Sequence, residues 1–187
     1  KSQVEGLRAI VASLESNPGD LHLYLRIHPR LATCDPRQTQ EMMGLARPFL
    51  TVIPPGASVS TYTLMREAEK TLTFGSTAGI EAVYWGKPSI LAGMAYYFGL
   101  GATYNPESHE QVVAALRAPL APRDQTAALI YGYYLATWGI PYKFYHPTSY
   151  RRGTFKGCAI HPSLSVLARS YTLRAMKFIG AAWRKAG

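Results

Sequence analysis

The residues best suited to chemistry form a glycine turn, Gly75-Ser76-Thr77, which follows a run of β-forming residues at 70–74. Residues 77–85 have the composition of a short helix that ends at Gly86. Such a turn offers two hydroxyls and free backbone N–H groups at the positive end of a helix dipole, which suits a phosphate. The alternative is an ordinary strand-to-helix turn in which Ser76 caps the helix.

A second polar group follows another strand. Residues 21–27 alternate apolar and polar side chains with the two-residue period of a strand. His28-Pro29 ends this strand, because proline cannot continue the hydrogen-bond ladder. Ligands of parallel α/β sheets bind at the carboxyl ends of strands. We therefore expect His28 and the Gly75-Ser76-Thr77 turn to face one crevice.

Strands and helices alternate along the first half of the chain, which predicts an α/β fold with a Rossmann-like doubly wound parallel sheet. We expect residues 1–120 to form this domain and residues 121–187 to form an appended segment. The helices expected in the first domain lie at 3–15, 35–46, 59–68, 77–85 and 109–117, and the strands at 21–27, 50–53, 70–74 and 89–91. The appended segment is expected to contain a helix over 124–138, an irregular stretch over 139–162 and a final helix over 163–185.

The composition limits the class of protein. Of the 187 residues, 48% are hydrophobic and 17% are charged, which fits one globular domain with an appendage and no bilayer-spanning segment. No signal peptide is visible, so Cys34 and Cys158 are most simply reduced thiols in a cytosolic protein. The formal charge of +9 indicates an anionic partner: nucleic acid, a phosphate-bearing substrate or an acidic membrane surface. Nucleic acid ranks last, because the positive charge is dispersed and no recognised motif accompanies it.

Three sequence motifs follow one another along the chain: Leu25-Arg26-Ile27-His28-Pro29, residues 76–82 and Gly86-Lys87-Pro88. Together they resemble the C-terminal, donor-binding half of GT-B glycosyltransferases. The resemblance is to the bacterial capsule polysaccharide biosynthesis family, whose members include transferases of Kdo from CMP-Kdo. A His-Pro pair followed by a Ser/Thr pair is also similar to the nucleotide site of GT-B sialyltransferases. The resemblance covers residues 20–105 and extends to Gly139-Ile-Pro-Tyr142.

This resemblance implies roles for the polar residues. His28 would donate a hydrogen bond to the leaving phosphate, with Pro29 fixing the turn that aims it. Ser76 and Thr77 would offer hydroxyls and amides to the same phosphate. Glu81 lies one helical turn beyond Thr77 and would accept both ribose hydroxyls. Each role has a structural alternative: a strand-capping histidine, two helix-capping hydroxyls and a first-turn glutamate that complements the helix dipole.

Two further residues complete the expected nucleotide site. Gly75 would let the backbone turn toward the phosphate, and Arg26 either pairs with the phosphate or is a solvated charge. Lys87, His109, His146 and His161 carry no motif, and we expect no catalytic role for them. No Asp, His or Glu cluster has metal-ligand spacing, and a GT-B site needs no bound metal, so we expect neither a metal nor a cofactor.

The chain departs from the family in having room for one Rossmann-like domain where GT-B enzymes have two. The resemblance then implies a donor-binding half with the catalytic base outside this chain. Its partners would be a nucleotide-sugar donor (a CMP-sugar favoured), a saccharide or glycolipid acceptor and a missing N-terminal domain. A UDP-sugar transferase or a nucleotide-sugar 2-epimerase of the same architecture is the nearest alternative.

The other class left open is a non-catalytic binding or assembly module on a membrane surface. Residues 163–187 carry basic side chains together with Phe178 and Trp183, and a helix there could lie on anionic lipid. Its alternative is docking on the missing domain. We expect a cytoplasmic protein that is peripheral on the inner face of a bacterial inner membrane.

Overall fold

The computed structural model describes residues 2–149 and 152–160, so the expected final helix lies outside the described residues. The chain divides into two compact units between Thr137 and Trp138. The elements of the first unit are α1 (Gln3–Glu15), β1 (Leu23–Arg26), α2 (Leu31–Cys34), α3 (Pro36–Met43), β2 (Leu50–Ile53), α4 (Thr61–Glu67), β3 (Thr71–Thr73), α5 (Ala78–Tyr84), β4 (Ser89–Leu91), α6 (His109–Arg117) and α7 (Thr126–Thr137). Those of the second are β5 (Tyr145–Ser149), β6 (Arg152–Phe155) and β7 (Cys158–Ile160).

The start of helix α1 and the face that it buries follow from its local sequence. Ser2 and Glu5 form a capping box, in which each side chain accepts a hydrogen bond from the other residue's backbone N–H. Four apolar residues at helical spacing are buried beneath it: Val4, Ile10, Val11 and Leu14. This single apolar face fixes which side of α1 packs on the strands.

Two short parallel sheets lie in the first unit. Leu23–Arg26 of β1 pairs in parallel with Leu50–Ile53 of β2, and Thr71–Thr73 of β3 pairs with Ser89–Leu91 of β4. Because helices connect the strands of each pair, both are βαβ units, and the α/β class is confirmed. The strand order within the described residues joins neither pair to the other, so a continuous doubly wound sheet is not shown.

One hydrophobic core nevertheless serves both sheets. Buried residues of α1, β2, β4 and α6 form a single cluster that includes Leu14, Leu50, Ile90 and Leu116. Side chains of β1 and β3, among them Leu25 and Leu72, pack against the same cluster. The two βαβ units are therefore held by common packing.

The second unit corrects the sequence analysis, which expected an irregular stretch over 139–162. Strands β5, β6 and β7 form an antiparallel sheet in that order, so β5 is an edge strand that tolerates Pro147 beside a register shift. A two-residue turn joins β6 to β7, with φ of 50° at Lys156 and 80° at Gly157. Positive φ at both positions is typical of a type I′ hairpin turn.

Candidate functional site

The turn after β3 depends on glycine for close backbone packing. Gly75 has a φ of 148°, and a Cβ there would lie 2.7 Å from the Met94 carbonyl oxygen. A Cβ at Gly93 would collide with the Phe74 carbonyl. The chain leaving β3 and the chain leaving β4 thus run against one another, which only residues without a side chain allow.

Buried hydroxyls support this turn from below. The Tyr97 hydroxyl donates a 2.6 Å hydrogen bond to the Ser76 carbonyl oxygen and lies 3.4 Å from the Thr73 hydroxyl. Burial raises the pKa of Tyr97 above its ordinary value. A Cβ at Gly79 would lie 2.7 Å from Thr73 Oγ1 and against the Tyr97 hydroxyl, so glycine is needed where α5 crosses this pair. The position of Ser76 is therefore set by the core.

Several polar groups at the start of α5 have no hydrogen-bond partner among the described residues. Thr77 occupies the N-cap position but makes no side-chain capping bond, while Ser76 Oγ accepts a 3.2 Å bond from the Ala78 N–H. Carbonyls of Ser76 and Thr77 satisfy the next three N–H groups of the helix. In the part of the chain that the structure describes, no partner is found for the Thr77 hydroxyl or for the backbone N–H groups of Ser76 and Thr77. Because α5 has only seven residues, its dipole is small. These unbonded groups would therefore contribute more than the dipole to holding an anion.

Glu81 lies one turn further along α5 and is half-buried. The negative charge of Glu81 raises the pKa of Tyr62 on the neighbouring helix α4. Both residues, together with Thr77, line an open groove of about 620 Å³ between α4, α5 and α7. Nothing in the sequence pointed to Tyr62, because its hydroxyl meets Glu81 only through the packing of α4.

His28 is exposed directly beyond β1, as expected. Its Nδ1 accepts a 3.1 Å hydrogen bond from the Arg30 N–H, so the neutral ring must carry its proton on Nε2. Among the described residues Nε2 has no partner. The histidine is therefore oriented by its own turn and keeps one N–H donor for a ligand.

Arg26 has a structural role that the sequence analysis did not foresee. Its guanidinium donates to the carbonyls of Ile27 at 3.0 Å, Pro54 at 2.8 Å and Ala57 at 3.4 Å. The side chain is half-buried and ties the end of β1 to the loop after β2. It is thus no freely solvated charge, and binding of a phosphate by Arg26 stays a prediction.

Helix α1 packs against residues at the ends of both β1 and β3. Val4 shares a buried cluster with Ile27, the residue before His28. A Cβ on Gly6 would lie 2.7 Å from the ring of Phe74, the residue before Gly75. The first two turns of α1 therefore pack beside both ends, which supports a common crevice. No hydrogen bond or ion pair among the described residues links His28 to the turn or to Glu81, and the crevice itself stays a prediction.

Of the remaining histidines, His109 has a structural role. His109 Nε2 lies 2.7 Å from Ser13 Oγ, which joins α6 to α1, and His146 lies in β5. His161 falls outside the described residues. Within residues 2–149 and 152–160, no three His, Cys, Asp or Glu side chains gather as a metal site, and no helix is both long and apolar enough to cross a bilayer.

Comparison with known families identifies the chain's relatives. The model of the capsule polysaccharide biosynthesis protein family matches residues 1–145, which include both strand ends and all of α5 and α7. The chain therefore belongs to this family. No curated protein and no solved structure matches it.

Proposed function

We propose that this chain is the donor-binding half of a GT-B glycosyltransferase of capsule polysaccharide synthesis, acting on CMP-Kdo. Family membership supports the role in capsule synthesis. The observation that carries the proposal is the start of α5, where the Thr77 hydroxyl and two backbone N–H groups have no hydrogen-bond partner in the described part of the chain and lie one turn from Glu81. Donors on exposed residues of a turn that the core holds in place suit a phosphate.

Each residue then has a chemical role. Breaking the bond between sugar and phosphate leaves negative charge on the departing nucleotide, and preorganised donors at that phosphate lower the barrier. Thr77 and the Ser76 N–H hold the phosphate, and His28 Nε2–H donates to it from the end of β1. Glu81 accepts the ribose hydroxyls, because an ionised carboxylate has only acceptors to offer.

The other half of the reaction lies with partners. An acceptor hydroxyl must lose a proton as the new bond to the sugar forms, and we assign that base to an N-terminal domain that completes the GT-B fold. The two βαβ units with their common core support residues 1–120 as the Rossmann-like half. The acceptor is a saccharide or glycolipid of the capsule pathway.

A thermal-shift titration with CMP, UDP and GDP tests the donor. We expect CMP to raise the melting temperature most, because a ligand stabilises the state that binds it. His28→Ala and Glu81→Ala should each weaken CMP binding by at least about tenfold. Preferential stabilisation by UDP would instead favour the UDP-sugar transferase or the 2-epimerase.

The distribution of charge favours a second candidate, a module bound to a membrane surface. Residues 118–187 contain ten Lys and Arg against one acidic residue, Asp124, whereas residues 1–117 contain ten of each sign. The whole excess of +9 thus lies in the last third of the chain and would attract anionic lipid. Sedimentation with anionic vesicles tests it: binding lost on deletion of 163–187 supports a cytoplasmic protein peripheral to the inner membrane, and no binding by the full chain contradicts it.

A further inference from the structure

The groove between α4, α5 and α7 has a composition of its own. Its walls include four exposed aromatic side chains: Tyr62, Tyr84, Trp85 and Tyr133. Among the residues that the structure describes, Glu81 is the one charged residue in its lining, which contains no lysine or arginine. The occupant must therefore present flat or apolar faces to the aromatic rings and hydrogen-bond donors to the carboxylate.

The order of these groups along α5 is informative. Thr77, Glu81 and Trp85 are four residues apart, so successive groups lie about 6 Å further along the helix axis on roughly one side. A hydroxyl that suits a phosphate is followed by a carboxylate that suits ribose and then by an aromatic pair. The rings of Tyr84 and Trp85 lie edge to face, 5.8 Å between centroids. The sequence of groups matches phosphate, ribose and base in a nucleotide.

Glu81 is also prepared for such a ligand. Tyr62 of α4 lines the groove together with Glu81 and interacts electrostatically with its carboxylate, whose oxygens can accept hydrogen bonds from a ligand. A lipid surface entering the groove would surround this carboxylate with hydrocarbon, which is unfavourable. A second phosphate deep in the groove would meet Glu81 without a lysine or arginine from the described part of the chain in the lining.

We propose that this groove is the nucleoside pocket of the donor, in which the base packs against Tyr84 and Trp85, face to face with one ring and edge-on to the other, while its ribose bonds to Glu81. The volume of about 620 Å³ is in the range of small-molecule sites. The assignment rests on the proposed function and adds the residues that hold the base. Stacking is tolerant of base identity, so the pocket secures affinity and the choice among bases lies in other contacts.

Fluorescence of Trp85 tests the proposal. The chain has three tryptophans, and Trp138→Phe with Trp183→Phe leaves Trp85 as the reporter. This protein is titrated with CMP, and separately with ribose 5-phosphate, which carries the phosphate and sugar without a base. We expect CMP to quench Trp85 and ribose 5-phosphate to bind without quenching.

Affinity in matched variants gives the second readout. Tyr84→Leu and Trp85→Leu should weaken CMP at least about fivefold, the low end of one lost base–aromatic stack, and leave ribose 5-phosphate unchanged. Tyr96→Leu is the control, because Tyr96 is 97% exposed and does not line the groove.

The outcomes separate this inference from the function on which it rests. If CMP binds the parent protein but neither quenches Trp85 nor loses affinity in the two Leu variants, the pocket is overturned and the function stands. If no nucleotide binds, both fall. Quenching by a neutral oligosaccharide or by anionic vesicles, in place of CMP, would overturn the pocket and assign the groove to acceptor or lipid.

Discussion

The ends of β1 and β3 are both followed by polar residues, yet the protein uses those residues differently. At the end of β1, the Arg26 guanidinium and His28 Nδ1 bond to the chain itself, and among the described residues the His28 Nε2–H and the buried Arg26 Nε–H have no partner. Beyond β3, the core fixes the Ser76 carbonyl through Tyr97, while the Thr77 hydroxyl and neighbouring N–H groups have no partner among the described residues. The first end is mainly a clamp that ties β1 to the loop after β2, and the second leaves donors unbonded among the described residues, as the proposed donor site requires.

This difference separates residues that stabilise the fold from residues that are available to bind a ligand. A polar group already bonded to protein contributes to folding and has little left for a ligand. A group that the fold positions but leaves unbonded contributes little to folding. Substitutions at the two ends should therefore divide between loss of stability and loss of binding.

Replacing Arg26 should have the largest effect. Arg26→Met removes the charged donor from three backbone carbonyls, and we expect the free energy of unfolding to fall by about 2 kcal/mol. Urea denaturation measures it, with Arg66→Met as the control, since within the described residues Arg66 pairs only with its exposed neighbour Glu67. If Arg26→Met lost CMP binding but kept its stability, Arg26 would be a phosphate ligand and the clamp interpretation would be wrong.

Replacing Glu81 should separate binding from stability. Glu81→Gln keeps the shape of the side chain but removes its charge, so CMP should bind at least about tenfold more weakly, or ~1.4 kcal/mol. The pKa of Tyr62 should fall toward its ordinary value, because the carboxylate charge raises it. Calorimetry and an ultraviolet titration of the tyrosines measure these, with Glu69→Gln as the charge-matched control. An unchanged CMP affinity would remove Glu81 from the site.

Tyr97 supports the Gly75-Ser76-Thr77 turn. Its replacement should lower the free energy of unfolding and change how that free energy depends on pH. Tyr97→Phe removes one of the two hydrogen bonds that the Ser76 carbonyl accepts, the other coming from the Gly79 N–H, and this should cost about 1 kcal/mol. Burial raises the Tyr97 pKa above 10.0, so its contribution is complete below pH 10 and is lost as pH rises through the folded-state pKa. Denaturation at alkaline pH should thus show a shallower loss in Tyr97→Phe than in the parent. Equal slopes would contradict the burial.

The smallest effect is expected in a comparison of the N-termini of α1 and α5. Ser2 accepts from the Glu5 N–H in a capping box, so Ser2→Ala should cost about 1 kcal/mol. Thr77 caps nothing, so Thr77→Val should change the free energy of unfolding by less than about 0.5 kcal/mol. A Thr77→Val variant as destabilised as Ser2→Ala would show that the α5 hydroxyl serves the fold.

Much of the first unit could be predicted from sequence because its signals are local. The apolar stripe and capping box of α1 and the apolar runs of β2 and β4 set their own bounds. Four-residue α2 was missed, since it has no periodicity of its own. The second unit was misread because Pro147 argues against a strand until its place at a sheet edge is known, and the Lys156-Gly157 turn was not recognised.

The candidate site was predictable in its residue types but not in its contacts. Spacing placed Glu81 one turn from Thr77, as the structure has it. The clamp made by Arg26 joins residues far apart in sequence, and no periodicity reveals it. Tyr96 and Tyr97 look alike in sequence, yet they are 97% and 1% exposed, because only Tyr97 points under the turn.

A structure of the protein with bound CMP tests the central claim most directly. We expect the phosphate within hydrogen-bond distance of the Thr77 hydroxyl and of His28 Nε2, and the ribose hydroxyls on Glu81. A nucleotide whose phosphate lies away from both His28 and the Gly75-Ser76-Thr77 turn would contradict the account.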